Sequence, residues 1–115
     1  MITHIRGRLV EKHPDHVVVE CNGLGYFVVI SLQTFSNLPD QENIHLFTHQ
    51  VIREDAHTLY GFYSKTEREI FKLLLSVSGV GPSTAVTMLS SMETDEIQEA
   101  IAHEDVSKIQ SVKGI

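Results

Sequence analysis

The 115-residue sequence has one cysteine, Cys21, no tryptophan and only three prolines. A lone cysteine forms neither an intramolecular disulfide nor a cysteine-based zinc site, so a reducing compartment and a fold held by its apolar core are expected. Nowhere do 18 apolar residues run together, and the N-terminal stretch carries Arg6, Arg8, Glu11 and Lys12. Neither a membrane span nor a secretory signal peptide is expected, which makes the cytoplasm the expected location. Cations are also scarce. Nine Lys plus Arg stand against fifteen Asp plus Glu, for a net charge of −6, which argues against a simple basic nucleic-acid binder. What is present is an ordinary globular mixture, 42% hydrophobic and 21% charged, enough to build one domain or two very small ones.

The chain divides by periodicity. Up to about Phe62, short apolar runs rich in Val, Ile, Phe and Tyr alternate with polar residues and are interrupted by turn residues. This pattern predicts strands over 2–10, 16–21, 26–31, 45–51 and 58–62. The breaks are His13-Pro14-Asp15, Asn22-Gly23-Leu24-Gly25 and Leu38-Pro39-Asp40, with a short segment over 32–37 before the last. Five strands in so few residues cannot make a large sandwich, and a small OB-like barrel is the economical way to remove sheet edges. At Ser64 the period becomes 3.6: Ser64-Lys65-Thr66-Glu67 reads as a capping box, and Ile70, Phe71, Leu74 and Leu75 form an apolar stripe. That helix is expected to stop at Gly79. Pro82 suits the first position of the next helix, whose stripe is Ala85, Val86, Met88 and Leu89. Thr94 is a candidate N-cap for a third helix, and a fourth is expected from about Asp105. The expected fold is therefore a five-stranded OB-like β barrel over 1–63 followed by an all-α domain over 64–115.

The second half repeats itself. An offset of 35 residues aligns Ser76-Val77-Ser78-Gly79-Val80 with Ser111-Val112-Lys113-Gly114-Ile115. The first copy is helix, Ser78-Gly79-Val80-Gly81, helix, which is a helix-hairpin-helix pattern with two glycines in its turn. Such a turn lets backbone N–H groups converge at a helix N-terminus, where the dipole favours a phosphate oxygen without any side-chain cation. Ser83 and Thr84, in the first turn of that helix, add hydroxyl donors. A hairpin used twice at a fixed offset suggests two similar phosphate contacts on one duplex.

Read in order and spacing, the Glu11-Lys12 turn, Gly23-Leu24-Gly25-Tyr26, Phe47-Thr48-His49, Arg53-Glu54-Asp55-Ala56, Leu59-Tyr60-Gly61-Phe62 and Val77-Ser78-Gly79-Val80-Gly81-Pro82 resemble the RuvA family of Holliday-junction branch-migration proteins. The resemblance covers essentially the whole chain. It implies an OB-fold domain, a tandem helix-hairpin-helix domain and a four-fold homotetramer seated on a four-way DNA junction. It also implies a third domain beyond this chain that engages RuvB, the ATP-driven motor, with the RuvC resolvase as a further partner. The chain stops inside the second hairpin, so Lys113 and Gly114 are expected to contact DNA as the first part of an interrupted motif. Glu54 and Asp55 match the family's acidic pin, with Arg53 beside them positioned to orient the pair or touch phosphate. On their own, two adjacent carboxylates repel phosphates over a Debye length of about 8–10 Å, which suits a wedge at a strand crossover. Gly79, Val80, Gly81, Ser83 and Thr84 are the remaining expected DNA-contacting residues. Ser83 departs from the lysine that family members commonly carry there, and Thr3 from a glycine.

Neither catalysis nor a cofactor is implied. Seven histidines invite a metal reading, yet on one strand face His45 and His49 lie about 13 Å apart, too far for one ion. A helix-hairpin-helix repair enzyme would need a lysine where Ser83 stands and an essential acid near Glu99, with a base pocket that 115 residues hardly accommodate. A third reading is a single-stranded nucleic-acid module stacking bases on Tyr26, Phe27, Phe47 and Tyr60. Aromatics at 7% do not favour it.

Overall fold

In the computed structural model, which describes residues 1–39, 43–92 and 96–97, five strands form a closed barrel in the order β1-β2-β3-β5-β4. They are β1 (His4–Lys12), β2 (His16–Cys21), β3 (Leu24–Val29), β4 (Asn43–Ile52) and β5 (His57–Phe62), with a short helix α1 (Leu32–Asn37) between β3 and β4. β1 pairs antiparallel with both β2 and β4, and the ring closes through a parallel contact of β3 with β5 at Val28↔Leu59 and Val29↔Tyr60. The five predicted strands are all present. β1 starts and ends two residues later than its periodicity suggests, because a bulge between Leu9 and Glu11 carries pairing on to Lys12. The Glu11-Lys12 turn is thereby corrected to strand, and the reversal falls at His13, whose N–H donates to the His16 carbonyl at 2.9 Å. At Asn22-Gly23 both residues take positive φ, 51° and 85°, as a two-residue hairpin joining Cys21 to Leu24 requires. Leu24 and Gly25 already belong to β3.

The alternation that predicts the strands also builds the core. Ile5, Val17, Val19, Val28, Ile44, Leu46 and Leu59 point inward and are buried, joined by Ile30 and Leu38 at the ends of the α1 segment. The segment over 32–37 is helical because Ser31 caps it, its Oγ accepting from the Thr34 N–H at 3.1 Å.

Helices α2 (Lys65–Leu75) and α3 (Pro82–Ser91) follow. The capping box at Ser64 is half realised. Ser64 Oγ accepts from the Glu67 N–H at 3.1 Å, but the Glu67 carboxylate does not reach back to its own cap. It is buried, with Ser31 Oγ donating to Oε2 at 2.7 Å and Thr34 Oγ1 donating to Oε1. Thr34 Oγ1 in turn accepts from the Tyr63 N–H at 3.2 Å. One carboxylate therefore joins the N-terminus of α1 to the start of α2. Burial pushes its pKa upward, opposed by the hydrogen bonds from Thr34 and Ser31. Arg68 adds a second tie, donating to the Thr3 carbonyl at 2.8 Å. The chain separates into two compact units after Arg68, so the first turn of α2 counts with the barrel. No helix among the described residues is long and apolar enough to cross a membrane.

Candidate nucleic-acid interface

The hairpin between α2 and α3 is built by a few local bonds. Ile70, Phe71 and Leu74 are buried as their spacing predicts, whereas Leu73 is exposed. α2 ends at Leu75, and its last turn tightens through N–H donation from Ser76 to Leu73 and from Val77 to Leu74, each at 3.0 Å. Gly79 then takes φ +83°, a left-handed conformation that costs an L-residue about 1–2 kcal/mol. Gly81 differs. As the N-cap of α3 it has φ −93° and ψ 176°, open to any residue, so only one of the two turn glycines is required by backbone conformation. What distinguishes Gly81 is space: a Cβ there would meet nothing within 4 Å.

Val80 lies between them with its side chain 6% exposed and its N–H donating to the Val77 carbonyl at 3.1 Å. Its amide is therefore engaged within the turn, and the residue anchors the hairpin to its own core. Pro82 occupies the first helical position and has no N–H to leave unpaired. Ala85 closes the first α-helical bond, to the Gly81 carbonyl at 2.9 Å. The amides of Gly81, Ser83 and Thr84 thus fall among the donors that a helix start leaves without intrahelical partners. Gly81 carries no side chain to cap them, and no acidic residue occupies the first turn. The first turn itself therefore leaves the partial positive charge of the α3 N-terminus uncompensated, with Ser78, Gly79 and Ser83 exposed around it. This arrangement can receive an anionic oxygen. Lys113 and Gly114, the matching positions of the second hairpin, lie outside the described residues, as do Thr94, Glu99 and the segment from Asp105.

Glu54 and Asp55 sit at the tip of the β4–β5 hairpin. Ile52 pairs with His57, leaving a four-residue loop closed by donation from the Arg53 N–H to the Ala56 carbonyl at 2.8 Å. All four loop residues are exposed. Both carboxylates therefore project from a short, hydrogen-bonded turn on two paired strands. Arg53 lies near enough to Tyr60 for its charge to oppose the upward push that burial gives the Tyr60 hydroxyl.

Of the four aromatic residues considered for base stacking, Tyr60 is buried and Tyr26 packs against the barrel core. Phe27 alone of them is strongly exposed, at 59%. Among the described residues no group of three or more His, Cys, Asp or Glu side chains is arranged to hold a metal ion.

Comparison with known proteins accords with this geometry. Residues 1–61 match the family model described as the RuvA N-terminal domain, and residues 71–115 match a SAM-like helix-hairpin-helix tandem. Over all 115 residues the chain is 62% identical to a protein of Christiangramia forsetii and 58% identical to one of Flavobacterium psychrophilum. Over an alignment of 116 positions it is 48% identical to one of Neisseria meningitidis. Each of these is named Holliday junction branch migration complex subunit RuvA. The chain is covered completely in each comparison and spans about 60% of each relative's length.

Proposed function

Because the chain belongs to the RuvA family, we propose that it is the DNA-binding portion of a protein that recognises four-way junctions and holds them open for branch migration. In this reading a barrel domain (1–63) carries the acidic turn and the assembly surface, and a helix-hairpin-helix domain (64–115) grips duplex arms by their phosphates. The observation that carries it is the start of α3: Gly81, Ser83 and Thr84 present amides beside an exposed glycine turn with no acidic neighbour in the first turn. Phosphate contacts of this kind carry no direct base code, so recognition is of branched shape. Four copies around a four-fold axis would match the symmetry of an open junction and bring Glu54 and Asp55 together at the crossover, where their charge excludes backbone and helps part the strands. The chain supplies no catalytic group. The RuvB motor, engaged through a segment beyond these residues, provides the ATP chemistry, and the RuvC resolvase is a further partner of the same junction.

Competition between a four-way junction and a linear duplex of equal length, read by mobility shift, tests the reading. Preference for the junction is the expected result, and equal affinity overturns it. The acidic turn has its own test. Glu54→Gln with Asp55→Asn is expected to preserve or tighten junction binding while altering strand processing, and loss of binding in a folded double variant would refute the repulsive role.

A further inference from the structure

The acidic turn stands on a part of its hairpin that the barrel leaves uncovered. β4 and β5 pair without interruption from Phe47↔Phe62 to Ile52↔His57, and side chains alternate between the two faces of such a ribbon. Ile44, Leu46 and Thr48 of β4 are buried. Counting on in twos passes Gln50, which pairs with Leu59, and arrives at Ile52. Ile52 therefore lies on the core-facing side of the ribbon, yet it is 58% exposed. No other large apolar side chain of β4 or β5 is exposed. The ribbon has outrun the core, and its last core-facing position leaves a branched aliphatic side chain in water.

The residue across the ribbon is also open. Donation from the Arg53 N–H to the Ala56 carbonyl makes those two the hydrogen-bonded pair. Ile52 and His57 then form the adjoining non-hydrogen-bonded pair, in which facing side chains stand closest, with Cα atoms about 4.5 Å apart. His57 is exposed. An aliphatic side chain and an imidazole thus stand side by side at the foot of the acidic tip, carried by paired strands.

Two properties limit what can cover this platform. It is one aliphatic side chain and one ring wide, far below the roughly 800 Å² per partner of a stable protein interface. It also adjoins Glu54 and Asp55, which repel a phosphate but not an uncharged, flat, apolar group. The face of a nucleobase that has lost its stacking neighbour has that chemistry, and aliphatic wedges such as Ile are among the side chains that enter opened base steps.

We propose that Ile52, with His57 beside it, packs against a base unstacked where strands cross, and so holds open the base step that the acidic tip keeps clear of backbone. The inference deepens the junction reading above and rests on it. Charge and apolar contact have separate tasks: Glu54 and Asp55 exclude phosphate, whereas Ile52 replaces part of the stacking that an opened step forfeits.

The test uses a four-way junction carrying 2-aminopurine, whose fluorescence rises on unstacking, at a base pair of the crossover. The full chain is compared as wild type, Ile52→Val and Ile52→Thr, with thermal melts and solution mass measured alongside. Val and Thr share a branched shape and a preference for strands, and position 52 is exposed, so both variants should fold. Ile52→Val should keep most of the fluorescence rise. Ile52→Thr should lower the equilibrium constant between open and stacked base about tenfold, because its hydroxyl loses water against the base face. The ratio between the two variants should persist as salt is raised, since salt screens the carboxylates and not an apolar contact. Equal signals from Ile52→Val and Ile52→Thr overturn the inference, as does a wild type that prefers junctions without unstacking the probe; in both cases the junction reading stands. A wild type that binds junction and linear duplex alike removes that reading and this inference with it. A solution mass altered in Ile52→Thr alone would make position 52 a contact between protein copies and overturn the base contact.

Discussion

Glu67 is the residue whose role departs most from its sequence context. Its position three residues after Ser64 predicts a surface carboxylate closing a capping box, yet tertiary structure draws it inward to two hydroxyls. A buried carboxyl whose pKa is raised on folding binds its proton more tightly in the native state than in the unfolded chain. The sign follows: from the ordinary value of 4.5 up through the raised native value, the folded state loses stability as pH rises. Urea denaturation at steps between pH 4 and pH 8 should show this decline, and Glu67→Gln should flatten it, since an amide accepts a hydroxyl bond without a charge to desolvate. Glu67→Ala removes the shared acceptor and leaves the Ser31 and Thr34 hydroxyls buried without it, which should cost about 1–3 kcal/mol at neutral pH. Equal pH profiles for wild type and Glu67→Gln would show that the carboxyl titrates as an exposed group.

The hairpin between α2 and α3 separates two reasons for having glycine in one turn, and the variants separate them too. Gly79→Ala forces a Cβ into φ +83° and should destabilise the helical unit by about 1–2 kcal/mol, visible as a lower melting temperature. Gly81→Ala meets no atom and no backbone strain, so the melt should be unchanged. Its methyl group stands beside the amides that would receive a phosphate, so junction affinity should still fall several-fold. Wild-type affinity in Gly81→Ala would remove the α3 N-terminus from the DNA contact. The sequence carried the pattern Gly79-Val80-Gly81-Pro82 but not this division of labour, because φ is set by how the turn is closed. The engagement of the Val80 amide was hidden for the same reason. Strands β2 and β4 bury alternate residues, Val17 and Val19 in one and Ile44, Leu46 and Thr48 in the other, whereas β5 is buried on both faces from Leu59 to Phe62 and was legible from its apolar composition and its length. Boundaries were less legible: the bulge at Val10 shifts β1 without altering its composition. The helix over 32–37 is about a turn and a half, mostly polar and with one side-chain cap, too short to impose a period.

The whole molecule poses an electrostatic problem, since a chain of net charge −6 is proposed to hold a polyanion. Ion pairing between lysines and phosphates makes affinity fall steeply with salt, by a slope of about 0.9 in log K against log salt for each phosphate neutralised. Capture by amides at a helix start releases few counterions, so this chain should bind junctions with an unusually shallow dependence. At low ionic strength its own negative field should oppose approach. Ser83 provides the means of measuring this. It is exposed in the first turn of α3 and lies among the proposed phosphate donors, so Ser83→Lys adds a cation at the contact without disturbing buried structure. Junction binding titrated between 50 and 300 mM salt should then steepen by about 0.9 for each protomer engaged. Affinity should rise most at the lowest salt, and the melting temperature should stay that of wild type. A four-fold assembly with every hairpin in contact would multiply that increment by four, so the measured change also counts the subunits that touch DNA. An unaltered slope in a folded Ser83→Lys protein would place the phosphate away from α3, and the amide mechanism would fail with it.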